Sequence, residues 1–178
     1  MLIPKDLKEK ICQMQPLIIL GMHRSGTSLT VRLLKDMGIH LGTFLSRDAE
    51  AVHFQKINRR IYGSAGSKWG DVDSLIQAMQ SKKFVQMHTE KALDILFPER
   101  RILNLNQDIQ DYFGKKVWEA ISNGNGVHWG WKDPRTSLTF PIWLKVFPNA
   151  RFLHILRNGI DVAISIHRRS IKQHGKIY

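Results

Sequence analysis

The chain has 178 residues, 43% of them apolar, and a formal net charge of +12. This length and composition favour one domain over residues 1–178, with a core at about 16–170, and the single cysteine, Cys12, excludes an intrachain disulfide framework. No apolar run approaches the roughly 18 residues of a membrane span, so we expect a cytoplasmic protein without a membrane partner. The positive charge is compatible with nucleic acid, an acidic polysaccharide or a polyanionic cofactor, and charge alone does not choose among them.

The first two thirds of the sequence predict one strand followed by several helices. Residues 1–15 are polar and compatible with a helix, and Pro16 closes this lead-in before an apolar strand that runs to Leu20. Apolar residues then recur at helical spacing from Leu29 to Met37, and Gly38 is placed to end that helix. Segment 42–48 is predicted to be irregular, and segment 63–70 is a glycine- and serine-rich connection. The remaining helices are predicted at 52–62, 84–96 and 107–122, the last with Asn106 as its cap and Asn123-Gly124 at its end.

The last third of the sequence alternates strands and helices. Strands are predicted at 127–132 and 151–156, the second of them buried, and helices at 137–146 and 159–169. Trp129 and Trp131 are expected to cover the edge of the core. This alternation is typical of α/β proteins with a parallel sheet flanked by helices, whose ligands bind beyond the carboxyl ends of the strands. We therefore predict that the turns following the first and last strands open at the same edge of the sheet.

Segment 21–30, Gly-Met-His-Arg-Ser-Gly-Thr-Ser-Leu-Thr, joins the first strand to the helix that follows it. Such a junction directs backbone N–H groups and the positive end of a helix dipole at one point, where a phosphate or sulfate binds. The loop of ATP-binding proteins, G-x-x-x-x-G-K-[ST], has a lysine after its second glycine. Here Thr27 and Ser28 follow Gly26, and the cation, Arg24, lies inside the loop. The sequence thus predicts an anion site without the lysine that serves nucleoside triphosphates.

Two later segments carry further charged candidates. The first, Trp-Gly-Trp-Lys-Asp-Pro-Arg-Thr, contains Lys132 and Arg135, which either reach a ligand or are solvated beside a turn-forming Asp-Pro pair. In the second, Leu-Arg-Asn-Gly-Ile-Asp-Val-Ala-Ile-Ser, Arg157 ends a strand and Ser165 lies about two helical turns into the next helix. A cation and a hydroxyl in this arrangement suit a second phosphate.

These three segments, in this order, resemble sulfotransferases that use 3′-phosphoadenosine 5′-phosphosulfate. The likeness rests on Gly-x-x-Arg-Ser-Gly-Thr-Ser, Lys-Asp-Pro-Arg and Arg-Asn-x-x-Asp-Val-Ala-x-Ser, and it spans roughly residues 17–169. It implies a P-loop-like parallel sheet flanked by helices. It also implies transfer of a sulfuryl group to a hydroxyl of a small-molecule or carbohydrate acceptor, with adenosine 3′,5′-bisphosphate as the second product.

The resemblance further implies which residues bind this cofactor. The first loop would hold the 5′-phosphosulfate, through Arg24, Ser25, Gly26, Thr27 and Ser28, with His23 close by. Arg24 stands where many family members have lysine. The third segment would hold the 3′-phosphate through Arg157 and Ser165. Lys132 and Arg135 are candidates for contact with the cofactor or with the sulfate that is delivered to the acceptor.

Glu50 is the candidate catalytic base. Many bacterial carbohydrate-type members have a glutamate eight residues before an asparagine in the helix after the loop, and Glu50 and Asn58 match that spacing. The alternative is that Glu50 is an acidic residue in a first helical turn, where the helix dipole stabilises it. In the in-line transfer that the family implies, the base takes the acceptor proton and Arg24 stabilises charge on the departing 5′-phosphate. No metal is expected to take part.

Two other functions are compatible with parts of the sequence. A P-loop kinase of small molecules would need a lysine at position 27, an acidic partner for magnesium, and ATP. A basic nucleic-acid-binding module would interleave aromatic and basic residues on one surface. The cations of this chain gather instead at turns after strands, so we expect no nucleic acid partner.

The chain departs from the family pattern mainly in length. Relatives usually continue past the 3′-phosphate helix with further helices and a glycine- and basic-residue loop that completes the cofactor site, whereas this sequence stops at Tyr178. We therefore expect a minimal form, a C-terminally truncated fragment or one member of an assembly. The acceptor and the oligomeric state stay open at this point. The turn Arg157-Asn-Gly also stands where many relatives have Arg-Asp-Pro.

Overall fold

A computed structural model describes residues 3–68, 70–99 and 108–174 of the chain. The elements, in chain order, are α1 (Lys5–Gln13), β1 (Leu17–Leu20), α2 (Thr27–Asp36), α3 (Val52–Ser64), α4 (Asp73–Met79), α5 (Lys82–Leu96), α6 (Ile109–Ser122), β2 (Gly130–Lys132), α7 (Thr136–Val146), β3 (Arg151–His154) and α8 (Gly159–His174). Within these ranges the strands form one three-stranded parallel sheet, and helices flank it. The predicted α/β fold class is confirmed.

The order of the strands places the three sequence segments side by side. β1 is central, with β2 and β3 as its parallel neighbours. Ile18 is in register with Trp131 on one side and with Phe152 on the other. Because parallel strands end at the same edge, the residues that follow Leu20, Lys132 and His154 emerge together. The loop at 21–26, the Lys-Asp-Pro-Arg segment and the Arg157 turn therefore meet there, which the sequence predicts for the first and the last of them.

Two glycines allow close approach of the backbone, Gly130 at the start of β2 and Gly21 just after the end of β1. A Cβ on Gly130 would lie 1.9 Å from the Leu17 carbonyl oxygen, so β1 and β2 could not pair with any larger residue there. A Cβ on Gly21 would lie 2.8 Å from the Ile155 carbonyl oxygen, and the φ of Gly21 is +143°. Both positions require glycine, and the second brings the start of the loop against the end of β3.

Aromatic side chains fill the centre of the core. Phe54 stacks on Trp131 with ring centroids 4.0 Å apart, and Trp143 meets Trp131 edge to face at 5.2 Å. Trp129 and Trp131 are buried, at 1% and 0% exposure, so the expectation that they cover the edge of the core is wrong. Phe54 of α3 and Trp143 of α7 pack on Trp131 of β2, which places that tryptophan in the middle of the core.

β3 and α8 are more exposed than the sequence suggests. β3 ends at His154, and three of its four residues are exposed, so the prediction of a buried strand at 151–156 is wrong. β2 and β3 are the two outer strands of the described sheet, and of these only β2 is fully buried. Of the α8 side chains that the structure describes, only that of Val162 is buried.

The helices differ from prediction in three places. α3 continues through Gly63 to Ser64, and α4 was not predicted, since its single buried residue, Leu75, gives no periodic signal. In the first turn of α4 the Leu75 N–H donates to Ser67 Oγ, eight positions earlier, at 2.8 Å. Asp108 caps α6, whereas the predicted cap, Asn106, lies outside the described residues. Within the described ranges, every helix is too short or too polar to cross a membrane.

Candidate active site

The loop at 21–26 forms a concave seat in front of α2. Gly26 has a φ of 108°, and Arg24, although it carries a Cβ, adopts a φ of 68° in the left-handed region. The Gly26 carbonyl accepts from the N–H groups of Leu29 and Thr30 at 3.0 and 3.1 Å, which starts the helix. The first-turn amides of α2 have no acceptor within the helix, and they carry the positive end of its dipole. This geometry matches the anion seat that the sequence predicts.

A cavity of about 200 Å³ lies over this loop. The predicted site residues that line it are His23, Arg24, Gly26, Thr27, Ser28, Lys132 and Arg157. Asp48 and Arg169 complete the wall, and neither was singled out from the sequence. Ser25 does not line this cavity, because its hydroxyl donates to the Met22 carbonyl at 2.6 Å and closes the turn. Ser25 thus stabilises the conformation of the loop through a hydrogen bond inside it.

A second, larger cavity of about 780 Å³ adjoins the first. The two share the wall residues Arg24, Asp48, Arg157 and Arg169. The larger cavity adds Arg47, Asp161, Ile164, Ser165 and Arg168. Five arginines and two aspartates therefore face this space, which favours a polyanionic ligand.

Arg24 connects the two cavities. Its Nε donates to Ser165 Oγ at 2.9 Å, and its carbonyl accepts from the Arg157 guanidinium at 2.9 Å. The predicted cation and hydroxyl of the second site are thus brought directly against the first loop. A ligand with an anionic group at each end could therefore place one group in each cavity, and arginine side chains line both cavities.

Glu50 lies in a different place from the helical position that the sequence suggests. It precedes α3 by two residues, and it is only 4% exposed, so it is not an acidic residue of a first helical turn. Gln55 donates to one of its carboxylate oxygens. Lys132 Nζ lies 3.4 Å from Oε1, and Arg135 lies 3.7 Å from Oε2. The carboxylate is surrounded by donors and cations inside the protein.

Lys132 supplies an ammonium group at the loop that has no lysine of its own. Its side chain is 2% exposed, and Nζ donates to the Asp48 carbonyl at 3.0 Å. Burial lowers the pKa of Lys132, and the nearby Glu50 carboxylate opposes that shift. Arg135 is 12% exposed and pairs with Asp133 at 2.8 Å. The alternative that these two cations are merely solvated is therefore excluded.

His23 stands between the loop cavity and Glu50. Its Nδ1 lies 3.8 Å from Glu50 Oε1, and its ring lines the cavity. Burial lowers the pKa of His23; Lys132 and Arg135 act in the same direction, whereas Glu50 opposes them. His23 is therefore a neutral imidazole at neutral pH, able to donate and to accept.

A buried polar network behind the site holds these residues in place. Asn58, fully buried, donates to Asp133 Oδ2 at 2.8 Å and to Thr136 Oγ1 at 3.0 Å. Its amide oxygen accepts from Thr139 at 2.7 Å and from the Trp143 indole at 2.9 Å. Burial raises the pKa of Asp133, while Arg135 and Asn58 oppose that shift. Asn58 thereby fixes the turn that follows β2.

Asp48 and Arg169 are site residues that sequence reasoning missed. The two side chains form a bidentate pair at 3.0 and 3.2 Å although they are 121 positions apart. Neither lies in a glycine-rich loop or at a strand end, so nothing local marks them. Among the residues that the structure describes, no cluster of three or more His, Cys, Asp or Glu side chains could hold a metal ion.

Comparison with known proteins agrees with this geometry. A family model described as Sulfotransferase family matches residues 16–177, a range that contains all the site residues discussed above. Neither a curated protein nor a solved structure gave a significant match. The matched range covers most of the chain and includes the loop, the Lys-Asp-Pro-Arg segment and the Arg157 turn. The chain belongs to the sulfotransferase family.

Proposed function

We propose that this sulfotransferase takes its sulfuryl group from 3′-phosphoadenosine 5′-phosphosulfate and delivers it to a hydroxyl of a carbohydrate or other small molecule. The family match supports sulfuryl transfer in general, and the donor and the acceptor class are our proposal. The observation that carries the proposal is the bridge that Arg24 makes between the loop and Ser165.

The two cavities fit the two anionic ends of this donor. The loop amides, Arg24 and Lys132 face the smaller cavity, which would take the 5′-phosphosulfate. Arg157 and Ser165 face the larger cavity, which would take the 3′-phosphate and the nucleoside. A donor with a single anionic end would leave one of these sets of cations without a partner.

The transfer would proceed in line at sulfur. A bond forms between the acceptor oxygen and sulfur while the bond from sulfur to the bridging oxygen of the 5′-phosphate breaks. We assign to Glu50 the proton that the acceptor hydroxyl releases; its carboxylate is 4% exposed and lies behind the wall of the smaller cavity, 3.8 Å from His23 and 3.4 Å from Lys132, which both line that cavity. Arg24 and the loop amides stabilise the negative charge on the departing 5′-phosphate, and such donors each contribute on the order of 10²–10³ in rate.

Calorimetric titration with adenosine 3′,5′-bisphosphate tests the donor. We expect the wild type to bind it more tightly than adenosine 5′-monophosphate, and Arg157→Ala to abolish that preference. Arg151→Ala is the matched control, because Arg151 lies at the opposite end of β3 and should leave the preference intact. Binding of ATP with magnesium, together with no binding of the bisphosphate, would overturn the proposal in favour of a kinase.

A further inference from the structure

α8 carries Ser165, yet apolar packing holds it only weakly. Val162 is buried, whereas Ile160 is 71% exposed and Ile164 is 44% exposed. The helix and the turn before it are instead fastened by polar contacts. Ser165 and Arg157 both contact Arg24, and Arg169 contacts Asp48. An anion bound by Arg24 would compete with Ser165 for the Arg24 guanidinium. The Asp48–Arg169 pair does not involve Arg24, so that anion would leave it intact.

The Asp48–Arg169 pair has the geometry of a specific contact. Both guanidinium NH groups donate, one to each carboxylate oxygen, at 3.2 and 3.0 Å. Such bidentate pairs fix orientation as well as distance. The hydrogen bonds from Arg169 hold the pKa of Asp48 below its ordinary value, so the carboxylate is ionised at neutral pH. Since both side chains are about a third exposed, the pair contributes little to stability by itself.

The main chain of Asp48 is tied to the residues of the transfer site. Its carbonyl accepts from Ser28 Oγ at 2.7 Å and from Lys132 Nζ at 3.0 Å. Asp48 also belongs to a closed turn, in which the Ser46 N–H donates to the Glu50 carbonyl at 2.8 Å and the Glu50 N–H donates to Ser46 Oγ at 3.1 Å. Movement of Asp48 would therefore move Glu50 and release Lys132.

We propose that Asp48 and Arg169 are positioning residues that couple the 3′-phosphate site on α8 to Lys132 and Glu50 at the transfer site. This inference rests on the proposed function, because it assigns the 3′-phosphate to Arg157 and Ser165. A 3′-phosphate fixes α8, α8 fixes Asp48 through Arg169, and Asp48 fixes the turn at 46–50. A ligand without a 3′-phosphate fills the loop and leaves that turn less restrained.

Hydrogen exchange of the backbone amides at 46–51 tests this coupling. In the wild type, saturating adenosine 3′,5′-bisphosphate should slow exchange there more than saturating adenosine 5′-monophosphate does, by roughly fivefold or more. The difference should disappear in Arg169→Ala and in Asp48→Asn, the second of which replaces one carboxylate oxygen with an NH₂ group that cannot accept from Arg169. Arg169→Lys keeps the charge without the planar fork and should restore part of the difference. Arg60→Ala, an exposed arginine on α3, should behave as wild type.

The outcomes separate this inference from the proposed function. If the wild type does not bind the bisphosphate, the proposed function fails and the coupling fails with it. If the bisphosphate binds more tightly than the monophosphate but both protect residues 46–51 equally, the coupling alone is overturned. If Arg169→Ala shows the same difference in exchange between the two ligands as the wild type, the coupling is overturned as well. Asp48→Asn and Arg169→Lys keep the test decisive should Arg169→Ala fail to fold.

Discussion

Arg24 and Ser165 are joined by a hydrogen bond of 2.9 Å, although 141 positions separate them in the chain. The bond links the loop after β1 to the helix after β3, so the two turns that we propose to bind anions share one side chain. An anion that enters either cavity meets Arg24, and an anion at Ser165 competes with it for the hydroxyl. This sharing makes one ligand with two anionic ends more favourable than two separate ions.

The backbone of Arg24 stores strain that glycine would relieve. Its φ of 68° is unfavourable for a residue with a Cβ. We expect Arg24→Gly to be more stable than Arg24→Ala by about 0.5–1 kcal/mol, although both lose the cation. Urea unfolding of the two variants gives this difference, and calorimetry should show weaker bisphosphate binding in both. If the two variants are equally stable, or if the alanine variant is the more stable, the claim that the backbone at position 24 is strained is contradicted.

Lys132 is expected to distinguish the sulfated donor from its product. Lys132→Met keeps the side-chain length and removes the ammonium that faces the loop cavity. We expect about tenfold weaker binding of 3′-phosphoadenosine 5′-phosphosulfate, because a hydrogen bond to a charged group contributes about 1.5–3 kcal/mol. Binding of adenosine 3′,5′-bisphosphate, which has no sulfuryl group, should change little. Lys145→Met, on the exposed side of α7, is the control, and equal weakening of both ligands would argue against a sulfuryl contact.

Asn58 is expected to contribute more to stability than any exposed residue of α3. Asn58→Ala removes an amide that serves Asp133, Thr136, Thr139 and Trp143 in a fully buried network. The loss of these four buried hydrogen bonds should lower the free energy of unfolding by about 2–4 kcal/mol, although Asp133 keeps Arg135 and Trp143 keeps Thr139 as partners. Arg59→Ala, the exposed neighbour, should change it by less than about 0.5 kcal/mol. A loss of similar size in both variants would contradict the role of the network.

The sequence predicts those parts of the site whose determinants are local. The glycines and hydroxyls of the loop lie within ten residues of each other, and alternation of strands and helices places Arg157 and Lys132 at the same edge. Contacts between distant segments leave no such pattern. The Asp48–Arg169 pair spans 121 positions, and the hydrogen bond from Asn58 to Asp133 spans 75. The exposure of β3 likewise depends on what packs over the strand, which periodicity does not report: β2 is also an outer strand, and it is fully buried.

His53 should make the fold less stable in mild acid. Burial lowers the pKa of His53 to about 4; Lys56 acts in the same direction and Asp108 opposes them. Nδ1 is buried and has no hydrogen-bond partner among the residues that the structure describes. Between this value and the ordinary histidine pKa of about 6.5, the unfolded chain binds a proton that the folded chain does not. Stability from this group is therefore complete above about pH 6.5 and falls as the pH drops toward 4.

The variant His53→Phe removes this titration and keeps an aromatic ring beside Tyr112, which His53 meets edge to face at 5.8 Å. We expect the variant to lose less unfolding free energy than the wild type between pH 6.5 and 4.5. The difference in slope should approach, at most, about 1.4 kcal/mol per pH unit. Denaturant unfolding at several pH values measures both slopes, and parallel slopes would contradict the assignment.

The phosphorus-31 NMR spectrum of bound adenosine 3′,5′-bisphosphate tests the two-ended site most directly. The ligand has two distinct phosphorus resonances, one for each end. We predict that both shift on binding to the wild type, and that in Arg157→Ala the 3′ resonance returns toward its free position while the 5′ resonance stays shifted. A shift of only one resonance in the wild type would contradict the proposal that the loop and α8 together hold one donor. A 3′ resonance that stays at its wild-type bound position in Arg157→Ala would contradict it as well.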